Sequence, residues 1–436
     1  MVQIEVQQGS ILEATCEAIV NAANSQGWMG GGGGMAAGLS GQKGHTMRRV
    51  ITGLVLVLFL VRPAEGGEDF QLTADATRQI LRGTDHMVNL NYAEAREAFG
   101  QLKNLPGGDL LSPFLEGLVD MDQAVQEDRG EEEFKGVLDR FLARMEPVVM
   151  RGEALLQATP DNADLMLALG MIRGVKGAVD RTRKNYLEAY RGIRASHQLF
   201  TRVFEMDPHR VDALWPLGLY DYAVSRVPAL LKPFVSLVLP TADRQRGLDR
   251  LRRAAREGTL AAVPAAVTLT RILSGWEEQY AEALPYAELL ATRYPGNPEF
   301  LFLLAFLYSE THHTRQALSV AEAIRTSVEQ RRPHFPPELT PRYLQLRGKI
   351  AMDAGAHEEA LTFFRRTIDQ RNSKFTWITA WAHTRTGMIY DLQGQRDKAV
   401  ESYHRALEIE GRGLAQETAE RHLSEPYRGR ARRPRG

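Results

Sequence analysis

From Gly67 onward, apolar residues recur at helical spacing, and few stretches alternate in the way that marks a strand. Four segments share one register. Gly387, Tyr390, Ala399 and Tyr403 are separated by steps of 3, 9 and 4. The same steps separate Gly83, His86, Ala95 and Phe99, then Gly348, Ala351, Ala360 and Phe364, then Ala305, Tyr308, Ala317 and Ala321. A step of 3 or 4 stays on one helix face, and a step of 9 crosses a short turn into the next helix. Small residues at the first and third places allow two antiparallel helices to approach, and the aromatic at the fourth fills the space between them. A second register agrees with the first. Pro160 precedes Gly170, Pro208 precedes Gly218 and Pro295 precedes Ala305, each by 10 residues. Proline closes one helix and the small residue marks the middle of the next. The pattern predicts stacked helix–turn–helix pairs through residues 67–420.

Two stretches break the pattern. Pro228, Pro233 and Pro240 fall within 13 residues, which excludes a single regular helix over 228–240. That stretch reads either as a packed loop between repeats or as an exposed apolar loop touching a membrane surface or a partner. A new amphipathic helix is expected to start at Asp243. At the other end, Arg428, Arg430, Arg432, Arg433 and Arg435 are interleaved with Gly, Ala and Pro. Residues 421–436 are therefore expected to form a disordered basic tail, able to touch anionic lipid or acidic polymers.

The chain before Gly67 has a different character. Residues 47–66 begin with Met47, Arg48 and Arg49, continue through 12 mostly apolar residues from Val50 to Val61, and end in Ala64-Glu65-Gly66. A basic start, an apolar run of about 7–15 residues and a small-residue site, in that order, describe a secretory signal peptide. The alternative is a buried core segment of an N-terminal domain. If the signal functions, the mature protein begins at or after Met47 and is exported, to a bacterial periplasm or envelope. If residues 1–46 are translated and mask it, the protein stays cytoplasmic.

Both helical registers resemble the tetratricopeptide repeat family, whose unit is a helix–turn–helix of about 34 residues with small, aromatic and terminal-proline positions. The fullest match runs from Ala380 to Ile409, where Gly387, Tyr390, Gly394, Ala399, Tyr403 and Ala406 fall on the pattern. The resemblance covers roughly residues 75–410 and implies an all-α solenoid. Intervals between units are uneven, so longer helices or insertions are expected. The family's first helices build a concave groove. Counting positions 2, 5, 9 and 12 along each first helix selects Trp215 and Tyr222, Phe302 and Phe306, and Trp381 and Met388 as groove residues. Aromatic anchors with few charges suit an apolar peptide or helix.

A second resemblance lies at the N-terminus. Alternation over Val2–Val6, the block Ala18-Ile19-Val20-Asn21-Ala22-Ala23-Asn24 and the run Gly30 to Gly34 look like the opening of a macro domain, an ADP-ribose-binding α/β family. The resemblance carries ADP-ribose contacts onto Asn24, Gly30, Gly31, Gly32, Gly33 and Gly34. Ser10 stands where that family places an acid. The likeness stops after about 40 residues, so residues 1–46 read as an incomplete fragment.

Composition narrows the functional classes. The chain has 436 residues, 54 basic and 54 acidic side chains, and one cysteine, Cys16. Zero net charge argues against a dedicated nucleic-acid binder. One cysteine excludes a disulfide framework and cysteine-rich zinc modules. No phosphate loop, nucleophile elbow or H-E-x-x-H motif occurs. His312 and His313 read as turn residues, and neither a metal nor a cofactor is expected. The leading expectation is an exported helical-repeat scaffold that binds a protein or peptide. Two alternatives stay open: an ADP-ribose-binding or ADP-ribosyl-hydrolysing macro protein, and an envelope or membrane-surface assembly factor using 228–240 or the tail.

Overall fold

The computed structural model describes residues 70–127, 129–227, 240–370, 376–411 and 413–429. Asn24, the glycines Gly30 to Gly34, the segment 47–66, residues 228–239 of the proline-rich stretch and residues 430–436 lie outside the described residues.

The described residues are helical throughout, with no strand among them. In chain order the α-helices are α1 (Ala74–Val88), α2 (Tyr92–Gln101), α3 (Gly108–Gln126), α4 (Glu131–Ala158), α5 (Ala163–Thr182), α6 (Tyr186–Met206), α7 (Leu214–Ser225), α8 (Arg244–Glu257) and α9 (Ala262–Gly275). They continue as α10 (Tyr280–Arg293), α11 (Pro298–Glu310), α12 (Thr314–Glu329), α13 (Thr340–Asp353), α14 (His357–Asp369), α15 (Thr376–Leu392), α16 (Arg396–Leu407) and α17 (Leu414–Ser424). Contacts divide the described residues into two units, 70–269 and 270–429, with the division inside α9.

Starts are set by short polar side chains. Thr73, Asn162, Asn297 and Asp243 cap α1, α5, α11 and α8, each accepting a backbone N–H from the first turn. Asp243 thus opens the amphipathic helix expected at that point. Glu131, Glu132 and Glu133 occupy the first turn of α4, where the partial positive charge of the helix start favours them.

The pair turns repeat a single backbone solution. Between α1 and α2, Leu90 adopts φ 66° and the Asn91 amide reaches back to the His86 carbonyl at 2.8 Å. Lys184, His312, Gly355 and Gly394 adopt the same left-handed conformation in the turns after α5, α11, α13 and α15. The next amide in each turn, of Asn185, His313, Ala356 and Gln395, closes on the carbonyl of Asp180, Tyr308, Ala351 and Tyr390. This six-to-one bond satisfies a helix-end carbonyl and reverses the chain. Glycine fits that conformation without cost, whereas Leu90, Lys184 and His312 adopt it against their preference. His312 is therefore a turn residue, as the sequence suggested.

Within each pair the expected close approach is present. A Cβ on Gly83 would stand 2.3 Å from the Phe99 ring, one on Gly348 2.5 Å from Phe364, and one on Gly387 2.6 Å from Tyr403. These are the first and fourth places of the 3-9-4 register, so the register reads directly onto the helix–helix contact. The fourth copy uses alanines: Ala305, Ala317 and Ala321 are fully buried between α11 and α12. In the first unit, Gly218 and Gly247 bring α7 and α8 together backbone to backbone, a Cβ on Gly218 lying 2.8 Å from the Gly247 carbonyl oxygen. The unevenness expected from the intervals is accounted for by α4, α5 and α6, which run to 28, 20 and 21 residues.

Packing runs between sequence neighbours and next neighbours. In the second unit α11 lies against α12 and α13, α13 against α14 and α15, and α15 against α16 and α17. First helices thus stack on first helices, the arrangement of a tetratricopeptide-like solenoid.

The end of the chain differs from expectation. Arg421 to Ser424 complete α17. Beyond it, the Tyr427 amide donates to buried Asp391 at 2.8 Å, and the Tyr427 ring meets His422 at 5.2 Å. Asp391 also accepts from the Tyr403 hydroxyl at 2.8 Å and pairs with Arg396 at 2.9 Å. A buried carboxylate needing several donors draws residues 425–427 onto the helices, so the basic tail does not begin at 421.

Candidate functional site

The residues expected on a groove are mostly interior. Trp215, Tyr222, Phe302, Phe306 and Trp381 are each 3% exposed or less. Met388 is half-buried against the Ala399–Tyr403–Ala406 cluster. Their burial has two forms.

In the first unit the polar groups around Trp215, Asp221 and Asp212 close on one another. The Trp215 indole N–H donates to the Thr268 hydroxyl at 3.0 Å, and that hydroxyl donates to the Pro264 carbonyl at 2.8 Å. Asp221, fully buried on α7, accepts two bonds from Arg246, at 2.8 and 2.7 Å, and one from Arg250 at 2.6 Å. Asp212 Oδ1 accepts the amides of Thr259, Leu260 and Ala261 at 3.1, 3.1 and 2.7 Å, so it seats the chain that leads into α9. Burial raises the Asp212 carboxyl to about 6, against the pull of those three amides. The His197 ring meets the Tyr220 ring at 4.2 Å, tilted by 48°, and burial holds the His197 pKa below the usual histidine value. The Tyr222 hydroxyl is pushed up to about 12 by burial.

In the second unit the first helices α11, α13 and α15 lie side by side, and cations cover aromatics of a neighbouring first helix or of the same one. Arg342 of α13 lies 4.1 Å above the Phe302 ring and 6.0 Å from the Trp377 ring, and its guanidinium pairs with Glu299 through both η nitrogens. Lys349 lies 4.9 Å from the Phe306 ring and 2.8 Å from Glu310, and also pairs with Asp353. Asp353 accepts from Ser309 at 2.6 Å. On α15, Arg385 lies 4.7 Å above Trp381. A guanidinium over an aromatic face gains from the ring quadrupole while remaining able to donate in its own plane.

Arg342, Gln345, Lys349, Trp377 and Arg385 were not among the residues selected by position counting. The cause is local. Counting began at Ala380, but α15 starts at Thr376, which places Trp377 on the same row one turn before Trp381. The helix α13 was not counted at all. Its Arg342 and Lys349 would have signalled the row, being seven residues apart on one face.

Among the described residues no group of three or more His, Cys, Asp or Glu side chains is placed to hold a metal ion. None of the described helices is long and apolar enough to cross a membrane. A separate cleft of about 710 Å³ in the second unit is lined by Glu277, Gln279, Tyr280, Glu282, Glu310 and His313.

No protein-family model matches the chain, and no curated protein matches it. Solved structures with similar outlines are helical-repeat proteins. Human IFIT1, solved as a dimer with PPP-AAAA, is 13% identical, with 87% of this chain and 85% of that one covered and a TM-score of 0.36. A tetratricopeptide repeat protein from Parabacteroides merdae is 13% identical, covering 70% of this chain and 98% of its own, with a TM-score of 0.27. Yeast Tom70 is 11% identical, with coverages of 81% and 82% and a TM-score of 0.32. These likenesses are distant. The architecture assigned to this chain rests on its own contacts: the repeated turns, the Gly–aromatic approaches and the stacking of first helices. Nothing in the comparisons supports a macro domain.

Proposed function

We propose that this chain is a binding scaffold that holds a protein partner along the first helices of its second unit. The observation that carries this reading is the row on α11, α13 and α15, where Phe302, Phe306, Trp377 and Trp381 are overlaid by Arg342, Lys349 and Arg385. Stacked first helices form a long, rigid face that suits recognition of an extended segment, and this buried row, each member 6% exposed or less, ties those helices together. Export through residues 47–66 belongs to the same proposal, because a scaffold in a bacterial envelope would need it.

Two experiments test this. Crosslinking of the full chain in its native host, followed by peptide mapping, should place partner crosslinks on α11, α13 and α15. Crosslinks confined to α12, α14 and α16 would overturn the assignment of the binding face. N-terminal sequencing of the same material should find a start at or after Met47, whereas a stable product retaining Cys16 would overturn export.

A further inference from the structure

The turns that end the first helices of the second unit lie along one edge. Helices α11 and α13 run in the same direction and in register. Arg342 pairs with Glu299 near their starts, while Lys349 pairs with Glu310 and Ser309 donates to Asp353 near their ends. Helices α13 and α15 follow suit: Arg342 reaches the Trp377 ring at 6.0 Å near their starts, and Gln393 donates to Glu358 at 3.2 Å across their turns. The turns at His312, Gly355 and Gly394 therefore sit side by side.

The two ends of this edge differ in charge. At one end is the cleft of about 710 Å³, whose lining comes from the α9–α10 and α11–α12 turns and the helix ends beside them. Glu277, Glu278, Glu282 and Glu310 line it, and among the described residues no Lys or Arg side chain does. Glu310 is paired with Lys349, whereas Glu278 stands exposed in the α9–α10 turn at φ 50°. At the other end the chain leaves its last helix. The Tyr427 amide donates to Asp391 at 2.8 Å, and a Cβ on Gly429 would stand 3.5 Å from Leu392. Asp391 and Leu392 close α15, so the chain beyond Gly429 starts from the same edge that carries the cleft. It reads Arg430-Ala431-Arg432-Arg433-Pro434-Arg435-Gly436, with no acidic residue.

Reach permits the two to meet. Packed helices lie about 8–10 Å apart, so two steps from α15 to α11 cover about 16–20 Å. Seven extended residues span at most about 23–25 Å. The path passes Glu358 and Glu359, exposed at the start of α14.

We propose that residues 430–436 dock on the acidic cleft of their own chain. Guanidinium groups of the segment donate in their plane to the cleft carboxylates, a geometry that suits paired N–H donors. Docking holds the arginines away from anionic lipid and acidic polymers, so the cleft restrains the contacts that a free basic tail would make. The chain's own segment is favoured over that of a second copy because a short tether gives an effective concentration of about millimolar. The row on α11, α13 and α15 plays no part, and failure of this proposal leaves the scaffold reading untouched.

The test uses the full chain with Cys16→Ser, Ala281→Cys and Gly436→Cys, and reads the rate of disulfide formation between the two new thiols under mild oxidation. Ala281 is exposed and lines the cleft. An intramolecular product should form, and about 1 M salt, which screens charges beyond about 3 Å, should slow it at least tenfold. Replacing Arg430, Arg432, Arg433 and Arg435 by Gln leaves every described helix untouched and should slow it at least tenfold as well. Glu278→Lys, an exposed change, should slow it severalfold. An arginine-free segment that crosslinks as fast as the original would overturn the proposal, because tethering alone would then explain the product. Rates unchanged by Glu278→Lys would overturn the cleft as the seat. A product of twice the chain mass, rising with protein concentration, would assign the segment to a second copy instead.

Discussion

Trp215 in the first unit and Trp381 in the second were selected by the same counting rule, and both are buried on first helices, yet their polar ends are treated differently. Trp215 finds Thr268 across α9, and its donor is satisfied. Trp381 packs against Trp377, Ile378, Ala380 and Ala415, which offer its indole nitrogen no side-chain acceptor. The surrounding charges differ in the same sense. Asp221 and Asp212 in the first unit are enclosed by donors supplied by α8 and by the start of α9. In the second unit the guanidinium groups lie over rings. The polar groups around Trp215 close on one another, whereas the Trp381 indole N–H has no acceptor among the described residues.

The largest expected effect breaks the closed side of that comparison. Asp221→Ala should destabilise the first unit by about 3 kcal/mol, since removing one partner strands the others. The estimate is kept at the low end because the Arg246 side chain is 45% exposed and can turn to water. Denaturant unfolding of the variant checks it, and a loss below about 1 kcal/mol would mean that Asp221 is not the keystone of α7 and α8.

Asp212 gives the next effect, and its sign is set by burial. Its folded pKa, about 6, lies above the unfolded value of 3.8. The folded state therefore takes up a proton before the unfolded state does. This group's contribution to stability falls as pH rises from about 4 to 6 and is flat above. A shift of about two units is worth about 3 kcal/mol across that window. Asp212→Asn keeps an oxygen for the three amides and does not titrate, so wild type should gain stability relative to it as pH falls from 7 to 4. Parallel pH-dependent melts that never diverge would remove this account of Asp212.

A smaller loss tests the packing shared by both units. Gly387→Leu drives a side chain into Tyr403 and should cost about 1–3 kcal/mol, as overpacking does. The same change at Gly394, in the left-handed turn with open space around it, acts through backbone strain instead. Equal melts for Gly387→Leu and wild type would show that α15 and α16 can part freely.

The sequence was legible where contacts are local. Gly83 with Phe99, Gly348 with Phe364 and Gly387 with Tyr403 meet across a single turn, so spacing alone identifies them. Burial of Phe302, Phe306 and Trp381 was not legible in the same way. Whether an aromatic on a first helix is open or covered depends on what the next first helix lays over it, and Arg342, Lys349 and Arg385 come from other turns or other pairs. Trp377 was missed because counting began at Ala380, one turn after α15 starts at Thr376. The fate of residues 425–427 turned on Asp391, whose demand for donors is invisible to a reading of tail composition.

The smallest effect sharpens the closed side. Replacing the Trp215 indole by benzothiophene keeps its shape, removes the N–H and should cost about 1 kcal/mol, the usual value of one hydrogen bond. The same replacement at Trp381 should cost nothing, because no bond is lost. Equal losses at both sites would erase the contrast between the units.

The most direct measurement is the indole region of a proton–nitrogen correlation spectrum of the full chain labelled at tryptophan, assigned through single Trp→Phe variants. In the folded chain the Trp215 indole proton, held by Thr268, should resonate downfield of the Trp377 and Trp381 indole protons, which have no acceptor among the described residues. Trp377 and Trp381 signals as far downfield as that of Trp215 would contradict the account.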